Sequence, residues 1–294
     1  MKARIATTLG LAGLLAAGSW ATAAAPEKPL GEQPAAPAAK PTPASRPLTV
    51  AMMSAPKPEY TGHNPKTMAP TAGTADNTPP AGFTAAFNGK DLAGWKGLLD
   101  PKKKLDNPML RAKLTPEELK VAQAEADENM KAHWTPTDGV LVFEPGEKKT
   151  GRSLCTSKLY ADFEMWVDWK IKKDGDSGVY VRGCPQIQIW DTSLLRVGGE
   201  VGSGALYNNQ KHPSIPLVVA DKPIGEWNTF FIRMVGDKVT VYLNGQLVTD
   251  EVMLENYWDR KQPIPAREQI ELQNHGNTLY FKNVYIKDLS EPAK

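Results

Sequence analysis

Between residues 162 and 191 two sets of residues alternate with a period of two. Phe163, Met165, Val167, Trp169, Ile171, Val179, Val181, Ile187 and Ile189 take the odd positions, which is the mark of strands with one buried face. The even positions hold Glu164, Trp166, Asp168, Lys170, Tyr180, Arg182, Gln186, Gln188 and Trp190. Carboxylates, amides and a guanidinium offer planar partners to hydroxyls, and aromatic rings offer platforms to the C–H faces of a pyranose, so this face suits a sugar. A solvated outer face that carries two Trp is the structural alternative. Lys173 to Ser177 reads as a hairpin loop, and a three-residue loop sets Asp168 across from Arg182 and Lys170 across from Tyr180. A similar connection at Gly183-Cys184-Pro185 brings Gln186 beside Arg182 and Gln188 beside Tyr180. Asp168 and Arg182 are then either functional or a cross-strand ion pair worth about 0–1 kcal/mol when exposed.

The same period recurs further along. Residues 227–235 and 238–244 bury Phe230, Ile232, Met234, Val239, Val241 and Leu243 around Gly236-Asp237, which predicts a hairpin. Ile270 and Leu272 point one way, while Glu271, Gln273 and His275 share the other side. In the last strand the apolar parity changes between Phe281 and Val284, which predicts a bulge near Asn283. One helix interrupts the strands, over about 115–132: Thr115 as N-cap, Pro116 in the first turn and Glu118 three residues after the cap form a capping box. Its apolar stripe of Leu119, Ala122, Ala126 and Met130 is thin, so it belongs at the periphery. Many antiparallel strands and no βαβ rhythm predict an all-β sandwich whose first and last strands pair.

The N-terminal part changes the domain count. Lys2 and Arg4 before the apolar run from Ile5 to Trp20, then small residues from Ala21 to Ala25, read as a signal peptide over 1–25 and imply export to the periplasm or beyond. Residues 26–80, rich in Pro and Ala, cannot bury enough apolar surface to offset the entropy of ordering and read as a disordered tether, leaving 81–290 as one domain. His63 within it is incidental. No other run approaches the ~20 apolar residues of a membrane span. A formal charge of +2 without a long basic block argues against nucleic acid. Cys155 and Cys184 are the two cysteines: they could pair in an oxidising compartment or stay as isolated thiols, and they are too few for a Cys-based zinc site. The glycines between Gly198 and Gly204, leading to Tyr207, lack phosphate-loop spacing and read as a loop over the polar face.

Five segments, in order, carry a family resemblance: Phe87-Asn88-Gly89-Lys90-Asp91-Leu92-Ala93-Gly94-Trp95, Asp176-Ser177-Gly178-Val179-Tyr180-Val181-Arg182, Gly225-Glu226-Trp227-Asn228, Leu243-Asn244-Gly245 and Leu272-Gln273-Asn274-His275-Gly276. Together they resemble the 3-keto-disaccharide hydrolase family over about Gly82 to Leu289. The resemblance implies a concanavalin A-like jelly-roll sandwich and cleavage of a glycoside already oxidised at C3, by removal of the C2 proton and loss of the C1 leaving group. In that reading Asp168 or Glu271 is the base, Arg182 with Gln186 holds the enolate, and His275 protonates the leaving oxygen. Gln188, Gln273, Asp191 and Tyr207 hold hydroxyls and Trp166 and Trp190 are platforms, with Glu164 and Tyr180 on the same face. No redox cofactor is called for, and loop carboxylates and carbonyls could hold a structural Ca²⁺. The family pattern Glu-x-Gln-x-x-Asp is met by Gln186-Ile187-Gln188-Ile189-Trp190-Asp191, with an amide in place of the first carboxylate. A carbohydrate-binding module without catalysis is the alternative, since the same aromatics and amides would serve it.

Overall fold

The alternating segments form strands because each can bury one row of side chains, and two such sheets close over a common core. The computed structural model describes residues 75–193 and 202–290. The expected signal peptide, most of the tether, His63, Gly198 and Gly199 lie outside them. The domain starts before the expected boundary at 81: Asn77 N–H donates to Asn283 Oδ1 (2.6 Å) and Asp76 accepts from Lys282 (2.7 Å).

In chain order the strands are β1 (Thr84–Ala85), β2 (Trp95–Gly97), β3 (Trp134–Thr137), β4 (Val140–Phe143), β5 (Leu154–Thr156), β6 (Phe163–Ile171) and β7 (Asp176–Val181). They continue as β8 (Cys184–Trp190), β9 (Asn228–Val235), β10 (Lys238–Leu243), β11 (Gln246–Met253), β12 (Glu271–Leu272) and β13 (Leu279–Asp288), with helices α1 (Pro108–Arg111) and α2 (Pro116–His133). The larger sheet runs β11-β10-β9-β6-β13-β4-β3, with β1 also on β13; the smaller runs β2-β5-β12-β7-β8. All these pairings are antiparallel, so the all-β sandwich and the joining of the first and last strands are as expected.

Phe163, Met165, Val167 and Trp169 of β6 enter one core with Val179, Val181, Ile187, Ile189, Ile270 and Leu272 of the smaller sheet. The hairpin β9–β10 turns at Gly236, and the register of β13 on β6 shifts between Lys282 and Tyr285, where Asn283 has φ +52°. The capping box forms as read: Thr115 and Glu118 satisfy each other's backbone N–H groups. Helix α2 covers an edge. Gly97 N–H donates to Asp127 Oδ1 (2.9 Å) and its carbonyl accepts from Gln123 (3.0 Å), which closes the otherwise open rim of β2. A Cβ at Gly97 would run into the Ala126 carbonyl oxygen, so only glycine lets the helix backbone approach this closely. Among the described residues no helix is long and apolar enough to cross a membrane.

The central expectation is corrected in one respect. Strands β6 and β7 do not form a hairpin: β6 pairs with β13 and β9 in one sheet, and β7 pairs with β12 and β8 in the other. The connection at 172–175 therefore passes from one layer to the other, and Asp176 and Ser177, read as loop, are strand residues. Both apolar rows still face the core, because a core between two sheets accepts inward residues from either layer. The polar rows, however, emerge on opposite outer faces of the sandwich.

Candidate active site

The outer face of the smaller sheet carries a line of side chains that crosses its strands. Lys96 on β2 stands opposite Cys155 on β5, Cys155 opposite Glu271 on β12, and Glu271 opposite Tyr180 on β7. Strand alternation points these four away from the core that Trp95, Leu154, Leu272 and Val179 enter. On β8, Gln186, Gln188 and Trp190 continue the face. Gly178 is the hinge of this arrangement: it pairs with Gln188, and a Cβ there would lie 3.1 Å from the Gln186 side chain, which rests in the space left free.

Glu271 is 6% exposed, and burial raises its carboxyl to about 7 despite a hydrogen bond from Ser153 and the positive charge of Arg111; Asp106 and Glu268 push it the same way as burial. Tyr180 beside it is held well above the usual phenol range, chiefly by burial and then by the Glu271 charge. Its oxygen accepts from Gln273 Nε2 (3.1 Å), which leaves its own proton available to a ligand, and among the described residues Gln273 Oε1 is buried without a hydrogen-bond partner. The short segment around α1 borders this row. Arg111 donates to the carbonyls of Leu105 and Asp106 and pairs with Glu268 at 2.8 Å.

A second group adjoins the first. Asp176 Oδ2 lies 3.6 Å from His275 Nδ1, and Asp176 Oδ1 accepts from Gln188 Nε2 (2.9 Å), whose Oε1 accepts in turn from Gln186 Nε2. Burial lifts the Asp176 carboxyl above its ordinary value against the opposing pull of His275 and Gln188. His275 is on the rim and mostly exposed. Beyond Gln188 the Trp190 ring meets Tyr207 edge-on at 5.3 Å, and Trp190 Nε1 donates to the Gly202 carbonyl (3.0 Å). The segment 203–206, expected as a loop over this face, instead lies along the edge of β8, through the Ile187–Leu206 bridge and the backbone bonds of Gln188 N–H to the Ala205 carbonyl (3.0 Å) and of Gly204 N–H to the Gln188 carbonyl (2.8 Å). Tyr207 is half exposed at its end.

Glu271, His275, Tyr180, Gln186, Gln188, Trp190, Tyr207 and Gln273 are thus brought together, and five other expected residues are not. Glu164, Trp166 and Asp168 project from the outer face of the larger sheet. There Trp166 packs with Phe83, Phe231 and Tyr285, and Asp168 accepts from Thr229 Oγ1 (2.6 Å) and Asn283 Nδ2 (2.7 Å). Glu164 sits within reach of Arg233 (3.5 Å) and Lys287 (3.6 Å) on that same face. Arg182 is in the β7–β8 turn with φ +53°, and its guanidinium donates to the carbonyls of Pro265 (2.6 Å), Gly236 (3.1 Å) and Ala161 (3.3 Å), tying down one end of the sandwich. Its expected partner Asp168 is in the other layer, and the carboxylate near it is Asp162 at 3.7 Å. Asp191 accepts the N–H groups of Asp174 (2.8 Å) and Ser193 (2.9 Å) and clamps two turns. The register on β8 also differs from expectation, since Gln188 stands opposite Gly178.

Sequence reasoning passed over Lys96, Ser153 and Asp176. Lys96 was legible by parity, one residue beyond the buried Trp95, and Asp176 stood at the head of a recognised segment. Asp106 and Arg111 carry no local signal, because they reach the face from an insertion. Cys155 and Cys184 are both buried free thiols, the first on this face and the second in the core. Among the described residues no group of three or more His, Cys, Asp or Glu could hold a metal ion.

Residues 82–287 match the family described as 3-keto-alpha-glucoside-1,2-lyase-like domain. A 3-keto-disaccharide hydrolase of Bacteroides thetaiotaomicron (strain VPI-5482) is 21% identical over 259 residues, spanning 71% of this chain and 79% of the relative. Among solved structures, a candidate glycosyl hydrolase of Parabacteroides distasonis ATCC 8503 superposes with a TM-score of 0.52 at 24% identity, covering 74% of this chain and 100% of the other. Another candidate glycosyl hydrolase of that strain gives a TM-score of 0.43 at 27% identity over 66% of this chain and 99% of its own.

Proposed function

Because the chain belongs to the family of 3-keto-alpha-glucoside-1,2-lyase-like domains, we propose that it cleaves 3-keto-glycosides, with Glu271 as the base that removes the proton at C2. The ketone at C3 acidifies that proton. A carboxylate held near neutrality in a dry site is suited to take it, because its basicity is then matched to the working pH. The single observation that carries the reading is this buried Glu271, raised to about 7, flanked by Tyr180 on the same face.

The steps balance as an elimination followed by addition of water. Glu271 takes the C2 proton, and the electron pair moves to form an enolate whose oxygen is the former carbonyl at C3. Tyr180 donates its free hydroxyl proton in a hydrogen bond to that oxygen; the role expected of Arg182 passes to it, since Arg182 is committed to backbone carbonyls. The enolate reforms the ketone and expels the C1 oxygen, which takes a proton from His275; Asp176, 3.6 Å from Nδ1, orients the imidazole. Water then adds at C1 and gives up a proton to His275, which restores that acid, and the proton on Glu271 returns to C2. Gln186 and Gln273 Oε1 receive sugar hydroxyls, Gln188 holds Gln186 in place through its own bond to Asp176, and Trp190 with Tyr207 forms an aromatic wall.

The test is direct. Purified protein is incubated with 4-nitrophenyl 3-keto-glucoside and with the unoxidised glucoside, and nitrophenol release is followed. Release from the keto compound alone is expected. Release from neither, with sugar binding retained, would replace this reading with that of a binding module.

A further inference from the structure

The hydrogen-bond chain on β8 can run in one direction only. Gln188 is almost completely buried, and three acceptors surround its Nε2: Asp176 Oδ1 at 2.9 Å, and the carbonyls of Ser177 and Ile189, each at 3.1 Å. Turning this amide over would set its oxygen against all three, and a buried acceptor among acceptors is costly. Gln188 Oε1 therefore points the other way, where it meets Gln186 Nε2. Among the described residues that N–H group is the donor on which Gln188 Oε1 depends. Position 186 is itself buried, so water is a poor substitute for it.

We propose that Gln186 is a positioning residue for the acid step: by donating to Gln188 it holds Gln188 Nε2 on Asp176 Oδ1, which keeps Asp176 an acceptor with Oδ2 toward His275. The proposal rests on the reading of Glu271 as the base and His275 as the acid. An amide has a donor at one end and an acceptor at the other, so a donor at 186 is passed along the chain to Asp176. A carboxylate at 186 would set oxygen against oxygen at Gln188. Either it keeps a proton and donates as the amide does, or Gln188 turns over and puts its own oxygen on Asp176 Oδ1. The second arrangement pushes Asp176 away from its place beside His275. The titratable and charged groups around position 186 are Asp176 and Tyr180 of β7, Cys184 of β8, Glu271, His275, Tyr257, and Asp106 of the segment around α1. The permanent cations near it, Arg111, Arg182 and Arg260, are already engaged by Glu268, by backbone carbonyls and by Glu255. A carboxyl at 186 would thus hold its proton well above the ordinary range, as Glu271 does at about 7 with the same 6% exposure.

Two leaving groups isolate the acid step, because an alkyl oxygen needs a proton and a nitrophenyl oxygen does not. The readout is kcat/KM for methyl 3-keto-glucoside divided by kcat/KM for 4-nitrophenyl 3-keto-glucoside, compared with the wild type at each pH from 5 to 9. The titration of Glu271 and any change in sugar binding act on both substrates and cancel. Gln186→Met, which removes the donor, is expected to lower this ratio by about tenfold or more at every pH, a part of the ~10²–10⁴ that a positioned acid contributes. Gln186→Glu is expected to lower it in the same way at pH 9 and to restore it to within about twofold of the wild type at pH 5, where the protonated carboxyl gives the donor back. Gln188→Glu, which needs a proton to face Asp176, should show the same dependence on pH and serves if neither of the others folds. A ratio that stays within about twofold of the wild type throughout in Gln186→Met, or one that is equally low at pH 5 and pH 9 in Gln186→Glu, overturns the role of Gln186. Release from the keto compound by the wild type then leaves the Glu271 reading standing. No release by the wild type overturns that reading, and the proposal with it.

Discussion

Substituting Glu271 by Gln should slow the protein's turnover severely and, above neutral pH, make it more stable. The carboxyl is raised to about 7 from an ordinary 4.5, mainly by burial. That gap, at about 1.36 kcal/mol per pH unit, corresponds to ~3 kcal/mol. The sign follows from which state binds the proton more tightly. Below pH 4.5 the carboxyl is protonated whether the chain is folded or not, and it carries no penalty. Between 4.5 and 7 the unfolded chain ionises while the folded one does not, so stability falls as pH rises; above 7 the full cost is present. The amide introduced by Glu271→Gln keeps an acceptor oxygen for Ser153 and does not titrate. The variant and the wild type should therefore melt together near pH 4, and at pH 8 the variant should be more stable by up to ~3 kcal/mol, or ~6–12 °C for a domain of about 200 residues. Turnover of the keto-glucoside should fall by ~10²–10⁴, the usual contribution of a positioned base. In the wild type kcat/KM should rise with pH through about 7 and then level off, as a base that must be ionised requires. Thermal melts from pH 4 to 8 and a pH–rate profile test both halves. A stability difference that stays constant across that range would refute the account of a carboxylate kept ionised at a cost to the fold.

Three further outcomes follow from the placement of residues. Asp168→Asn should leave kcat/KM within about twofold while costing ~1–2 kcal/mol of stability through its bonds to Thr229 and Asn283, because it faces away from the site; a melt and a progress curve decide, and lost turnover in a folded variant would contradict the separation of the two faces. His275→Ala should slow cleavage of a keto-glycoside with an alkyl aglycone far more than that of the nitrophenyl compound, whose leaving oxygen needs no proton, and equal slowing of both would argue against its role as the acid. Gly97→Ala should lower stability by ~1–3 kcal/mol or more, since its methyl meets the backbone carbonyl of Ala126 and a helix backbone cannot step aside as a side chain can; an unchanged melting point would contradict the close contact of α2 with β2.

Local chemistry was decided by the sequence alone. A period of two marks β6, β7, β8, β9 and β10 wherever one face must be apolar, and the change of parity after Phe281 announces the bulge at Asn283. The cap at Thr115 was equally legible, because it involves residues three apart in the chain. The side that Glu271, Gln273 and His275 share was also readable, since their alternation with Ile270 and Leu272 stays within a single segment. Which sheet a strand joins is a different matter. Parity says only inward or outward, and in a two-layer sandwich there are two outward directions. Asp168 and Tyr180 have the same parity relative to the core, yet the crossover at 172–175 puts one on each outer face. That choice was made by the pairing of β6 with β13 and of β7 with β12, contacts between segments roughly a hundred residues apart, and so was the burial that brings Glu271 to near neutrality beside Tyr180.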